Sequence, residues 1–214
     1  MGKTIPALKE ALVGRFDAQH TLIVSAILAH LDLLDEHIGL LCNGIEEQLA
    51  PFAMTVDLLC TIPGVQRRTA EVIVAEIGID MSRFPSQWHL ASWAGQCPGN
   101  DRSAGKRRSG KTRHGSKWID TGLTEAALAA TRTNDVYLAA QCHRLRPRRG
   151  HGRALGAVKH SILCACRYML ATGQVYRELG GQHFTRRDPD RATRRLVAQL
   201  ERLGHHVILQ QAAA

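Results

Sequence analysis

Between Cys97 and Trp118 the chain reads CPGNDRSAGKRRSGKTRHGSKW, and two of its three serines, Ser103 and Ser109, are candidates for covalent chemistry. Around them stand Arg102, Lys106, Arg107, Arg108, Lys111, Arg113 and Lys117, against the single acid Asp101. A hydroxyl that attacks a phosphodiester must shed its proton as it nears an anionic phosphorus. Neighbouring guanidinium and ammonium groups stabilise the charge that gathers on the non-bridging oxygens. A phosphoserine link also keeps the energy of the broken bond for rejoining, as strand exchange without added nucleotide requires. Serines in basic, glycine-rich loops are nonetheless more often solvated or phosphate-contacting than nucleophilic. The same stretch could simply order on DNA or RNA.

Other chemistries lack their residues. There is no GxxxxGK[ST] phosphate loop, no GxSxG elbow and no HExxH pair. The acids fall on the exposed side of an N-terminal helix or stand alone, as Glu71, Glu76 and Asp80 do, rather than converging on a divalent ion. Six cysteines, Cys42, Cys60, Cys97, Cys142, Cys164 and Cys166, form no CxxC pair. Reduced thiols in a cytoplasmic protein are expected, and zinc ligation by Cys142 and His143 lacks partners at a suitable spacing. No metal site is expected in this chain.

At 214 residues with 44% hydrophobic content the chain can bury a core. Its net charge of +9 favours a polyanionic partner, nucleic acid before an anionic membrane surface, because clustered cations release counterions condensed on phosphates. No apolar run is long enough to cross a membrane, and MGKTIPALKE lacks the apolar core of a signal peptide.

The elements that must hold the basic stretch read as helices. Val24, Ile27, Leu31, Leu34, Ile38, Leu41 and Ile45 recur at steps of three and four, a heptad seam over residues 20–50 that suits a coiled coil, an antiparallel pair or an amphipathic helix on its own domain. Pro51 ends it. This helix is acidic while the chain beyond residue 100 is basic, which separates self-association from polyanion binding. A short apolar helix, a turn at Pro63 and Gly64, and a helix from Arg67 with Ala70, Val72, Ile73 and Ile77 on its apolar side form a helix-hairpin-helix pattern. Gly64, Arg67 and Arg68 are its candidate phosphate contacts. Gln66 stands where a DNA-binding hairpin usually has a second glycine.

Phe84, Trp88, Leu90 and Trp93 share helical spacing and read as core. After the basic stretch come an Ala-rich helix with a break near Asn134 and Asp135, a second basic cluster HRLRPRRGHGR at 143–153, a buried helix, and a last helix capped by Asp188 or Asp190. Arg144, Arg146, Arg148 and Arg149 join the candidate nucleic-acid contacts. No period-two strand stands out. The expected fold is all-α: a long coiled-coil-like oligomerisation helix in residues 1–53, then a compact helical DNA-binding domain, 54–214, containing the helix-hairpin-helix-like element.

TIPGV, AEIG, RFPSQWHLASWAGQCPGNDRSAGKRRSGKTRHGSKWI and TGLTEAALAA, taken in order, resemble the C-terminal transposase domain of the IS110-type family of insertion-sequence transposases. The resemblance spans residues 54–203, and the heptad helix resembles the coiled coil that precedes this domain in the family. It implies a nucleophilic serine just past the A-G-x-x-P segment, which maps to Ser103, five residues beyond Pro98, rather than Ser109. It also implies DNA as partner, a homo-oligomer assembled through residues 20–50 and, in part of the family, a structured guide RNA.

The chain departs from the family in two places. Family members carry a metal-binding DEDD domain of RuvC-like type ahead of the coiled coil, which is expected to be absent here, so no cofactor is expected in this chain and Mg2+ only with that domain. Asp120 stands where an arginine is common. Two further readings stand beside a catalytic recombinase: a non-catalytic nucleic-acid-binding remnant or regulator of a full-length transposase, and a helix-hairpin-helix repair or RNA-binding protein with an incidental serine.

Overall fold

The computed structural model describes residues 5–14, 17–98, 101–109 and 112–210. The chain divides into two compact units, residues 1–51 and 52–214. The first holds a short helix α1 (Ile5–Leu12) and the long helix α2 (Ala18–Leu49). Asp17 starts α2 by accepting a hydrogen bond from the His20 amide at 2.9 Å, one of the four amides that a helix start leaves without partners. No residue of α2 is buried in this chain, so the whole Val24-to-Ile45 seam stands exposed.

The second unit is all-α apart from one small hairpin. Helix α3 (Ala53–Cys60) turns at Pro63 and Gly64 into α4 (Arg67–Ile77). Ala70, Ile73, Val74 and Ile77 form the buried stripe of α4, with Val74 rather than Val72 completing the i, i+3, i+4, i+7 pattern. Gly78, in a left-handed conformation, ends α4 by donating its amide to Val74.

Next come α5 (Gln87–Trp93), β1 (Asp101–Ser103), β2 (Lys106–Ser109), α6 (Lys117–Arg132) and α7 (Tyr137–Arg149). The break between α6 and α7 falls at the expected place, with Asp135 at φ +52°, a conformation that Asp tolerates better than most residues. Helix α8 (His151–Thr172) is the central helix, packed by α3, α5, α6 and α7. Its Ala154, Val158, Ile162, Leu163, Cys166 and Met169 form the middle of the core. Short α9 (His183–Arg187) and α10 (Pro189–Arg202) close the unit, and Asp188 caps α10 by accepting from the Arg191 amide at 3.1 Å.

Small residues let helices approach. Gly122, Ala126, Ala127 and Ala130 are the buried face of α6, and the turn at Gly64 and the side chain of Thr69 lie directly on it. The aromatic expectation changes here: Phe84 and Leu90 are buried, whereas Trp88 and Trp93 are exposed. Trp88 lies against the His160 ring and Trp93 against Phe84, each at 5.6 Å, so both indoles cover neighbouring rings at the surface.

Candidate nucleic-acid interface and nucleophile

The basic stretch, expected as a loop, folds back on itself as an antiparallel ribbon. Ser103 pairs with Lys106 and Arg102 with Arg107, with an irregularity between Asp101 and Arg102. Ala104 and Gly105, at φ +50° and +75°, form the two-residue turn. Two left-handed residues are what a type I′ turn demands, because its twist matches that of the strands. Glycine meets this freely, whereas Ala104 costs about 1 kcal/mol. Local strain is therefore stored one residue from Ser103.

Ser103 is exposed at the last paired position before the turn. It stands directly opposite Lys106, so the two side chains leave the same face of the ribbon with their Cβ atoms about 5 Å apart. One exposed lysine therefore shares the ribbon face of the hydroxyl, with its ammonium within reach of a group bound there. Among the described residues Ser103 makes no side-chain hydrogen bond to a base. Arg113 and Lys117 are exposed on the return toward α6. The backbones of Arg102, Arg107 and Arg108 lie in the strands, while their side chains and the whole of Lys111 lie outside the described residues.

The ribbon rises from a closed base. Gly95 and Gly115 touch across it: a Cβ on Gly115 would lie 2.3 Å from the Ala94 carbonyl, and one on Gly95 would lie 2.6 Å from the Arg113 carbonyl. Pro98 and Thr112 add an isolated bridge. Beneath them Gln96, buried in the segment after α5, donates to Asp120 Oδ1 at 2.7 Å, and Lys159 of α8 donates to the same oxygen at 2.5 Å and to Thr124 Oγ1 at 3.2 Å. Ser116 caps the start of α6 alongside. Both ends of the ribbon are thus tied to the central helix.

Partial burial opposes the ionised Asp120 carboxylate, but the hydrogen bonds from Lys159 and Gln96 outweigh it and hold the carboxyl below its ordinary 3.8. A depressed carboxyl stabilises the fold above the unfolded value and loses that contribution as pH falls through the folded one. Asp120→Asn is therefore expected to lower the melting temperature by a few degrees at neutral pH, because it leaves the largely buried Lys159 ammonium without its counter-charge. The difference from wild type should shrink below pH 3.8, as melts across a pH series would show.

The α3–α4 corner has a structural explanation. A Cβ on Gly64 would lie 2.3 Å from the Ala126 carbonyl, so the glycine is required by packing on α6. Arg67 and Arg68 each reach the buried Glu71 at 3.2 Å. The second cluster is largely helical: Arg144, Arg146, Arg148 and Arg149 are exposed along the end of α7, and Gly150 at φ +82° turns the chain into α8.

Among the described residues no disulfide is formed by the six cysteines. Burial pushes the Cys166 thiol up to about 12, and burial likewise raises Cys142 and Cys164, so these three are held in the unreactive form. Among the described residues no group of three or more His, Cys, Asp or Glu is placed to hold a metal, and no helix is long and apolar enough to cross a membrane.

Residues 56–143 match the family model described as Transposase IS116/IS110/IS902 family. This part of the chain is a transposase domain of that family. The match runs from α3 through the ribbon to the middle of α7, so Ser103, Gln96 and Asp120 lie inside the transposase domain, while Lys159 and the rest of α8, with α9 and α10, lie beyond the matched residues. No curated protein matches the chain.

Sequence reasoning missed Gln96, Asp120 and Lys159 as one group. Asp120 was visible only as an acid where an arginine is common. Its partners sit 24 and 39 residues away, and no local pattern could join them.

Proposed function

We propose that this chain performs strand transfer in DNA transposition, with Ser103 as nucleophile. The observation that carries the reading is the position of Ser103: it is the exposed residue before the turn of a cationic ribbon, within the matched transposase domain. The Ser103 Oγ–phosphorus bond forms as the bond from phosphorus to the leaving sugar oxygen breaks. The departing oxygen takes up a proton, and the hydroxyl proton goes to a base of a DEDD-type domain. Mg2+ belongs to that domain. Lys106 steadies the charge on the non-bridging oxygens.

DNA, together with a structured guide RNA, lies against residues 102–117 and 143–153. The α3–α4 corner contributes less, since Arg67 and Arg68 are already held by Glu71. A second copy of the chain covers the exposed α2 seam in a coiled coil, because exposed apolar residues at heptad spacing are what such an interface buries. The setting is cytoplasmic.

The test is to incubate the full chain, in the presence of a DEDD-type domain, with a nicked DNA substrate that traps intermediates, then map the DNA-linked peptide by mass spectrometry. A link at Ser103 is expected. A link elsewhere would remove the serine assignment. The lack of any hydrogen-bonded base at Ser103 among the described residues favours one alternative, a non-catalytic binder that regulates a full-length transposase, and complete absence of a link would select it.

A further inference from the structure

Beyond the matched residues, α9 packs on α7 and α10 packs on α9, and the three helices line a cleft of about 850 Å3. Tyr137 fixes this arrangement: its ring stacks on Phe184 with centroids 5.2 Å apart, and its amide donates to Glu178. The Gly181 amide donates to the Asp135 carbonyl at 3.0 Å, and a Cβ on Gly181 would collide with Asp135, so the segment leading into α9 is seated tightly.

The lining is strongly cationic. Arg144 and Arg148 come from α7, and Arg187, Arg191 and Arg195 from the opposite side. The one lining acid, Asp188, caps α10. Among the described residues none of these five arginines is in an ion pair. Five guanidinium groups facing a shared space repel one another, and the arrangement is relieved by an anion that several can bind at once.

Spacing and shape narrow the anion. Arg144 and Arg148, like Arg191 and Arg195, stand one helical turn apart, a rise of about 6 Å, so each wall offers cations at intervals comparable to successive phosphates of an extended strand. The Arg144 guanidinium lies 4.6 Å over the Phe184 ring, which Tyr137 also covers. Phe184 therefore positions a cation instead of offering its ring to a base, and contacts of this kind read the backbone and not the sequence. A cleft of this size takes in one strand and not a duplex.

We infer that the α7–α10 cleft binds the phosphodiester backbone of a single nucleic-acid strand, as a second contact besides the ribbon. The inference rests on the proposal that this domain handles nucleic acid. The sequence signal was available in RRDPDRATRR, where Arg187, Arg191 and Arg195 recur every four residues.

The test uses the full chain and fluorescence anisotropy with a labelled single-stranded DNA, the RNA of the same sequence and the duplex, each over a series of salt concentrations. The triple variant Arg187→Gln/Arg191→Gln/Arg195→Gln is compared with wild type and with Lys106→Gln/Arg113→Gln/Lys117→Gln in the ribbon. The cleft variant should lose at least about tenfold in affinity for one or both single strands, and its salt slope there should fall by about 2, from roughly 0.7 per phosphate contact. The strand with the larger loss is the one that the cleft holds. Because the three arginines are exposed, the melting curve should not change, and replacing all three with lysine should restore most of the slope.

Wild-type slope and affinity in the cleft variant, beside a loss in the ribbon variant, would overturn the cleft site and leave the nucleic-acid reading standing. An equal loss on the duplex would overturn the single-strand assignment. Absence of salt-dependent binding by wild type to all three probes would overturn both.

Discussion

Ser103→Ala is expected to abolish the covalent protein–DNA adduct while leaving DNA affinity within about twofold, since it removes one exposed oxygen and leaves every cation in place. On the proposed mechanism the substitution deletes the attacking atom, and loss of a nucleophile that works with a base and charge stabilisers costs roughly 10^4-fold or more in rate. The fold should be indifferent to it. Ser103 is exposed, and alanine accepts the extended backbone of the strand. Ser109→Ala, in the same basic stretch, should retain the adduct and so separates a nucleophile from a general need for hydroxyls. A denaturing gel of labelled DNA, run with the DEDD-type domain present, reads the outcome. An adduct that persists in Ser103→Ala would sink the assignment.

The position of Ser103 gives this expectation its physical basis. A serine in an unstructured loop would have to be ordered by the substrate, at an entropic cost of about 1–2 kcal/mol for each backbone residue fixed. Here the ribbon is folded before DNA arrives, with Gly95 against Gly115 and the bonds of Gln96 and Lys159 to Asp120 closing its base. The hydroxyl and the Lys106 ammonium are then presented together, which is the preorganisation that electrostatic stabilisation of a charged transition state requires.

Local patterns were readable and distant couplings were not. The α6–α7 break at Asp135 and the cap at Asp188 lie in residue types with strong local preferences, and both stand where the sequence puts them. The ribbon escaped notice because its strands are short and charged, with no apolar alternation to mark them, and because its turn uses Ala104 where asparagine or aspartate would have signalled a hairpin. Trp88 and Trp93 were misplaced because helical spacing says which residues share a face and not what lies against that face. The five cleft arginines come from segments some 40 residues apart and meet through long-range contacts, Tyr137 on Phe184 and Gly181 on Asp135.

Gly64→Ala should destabilise the transposase domain by about 3–4 kcal/mol, combining about 1–2 for a left-handed alanine with about 2 for forcing a methyl into a packed contact. Gly64 sits at φ +87°, and the added Cβ would meet the Ala126 carbonyl at 2.3 Å and the Ala130 amide nitrogen at 2.5 Å. Both are backbone atoms of α6, so relief requires the α3–α4 turn to lift from that helix as a unit. With total stabilities of about 5–15 kcal/mol for a domain, the variant should melt roughly 10 °C lower, at about 2–4 °C per kcal/mol. Gly156→Ala supplies the contrast. That glycine lies inside α8 with open space where its Cβ would be, so alanine should leave stability unchanged or raise it by up to about 1 kcal/mol through helix propensity. If Gly64→Ala melts like wild type and binds DNA less well, the residue is a phosphate contact. If it melts early and the folded fraction binds normally, its glycine is there to let the turn sit on α6, and the ribbon carries the DNA contact without it.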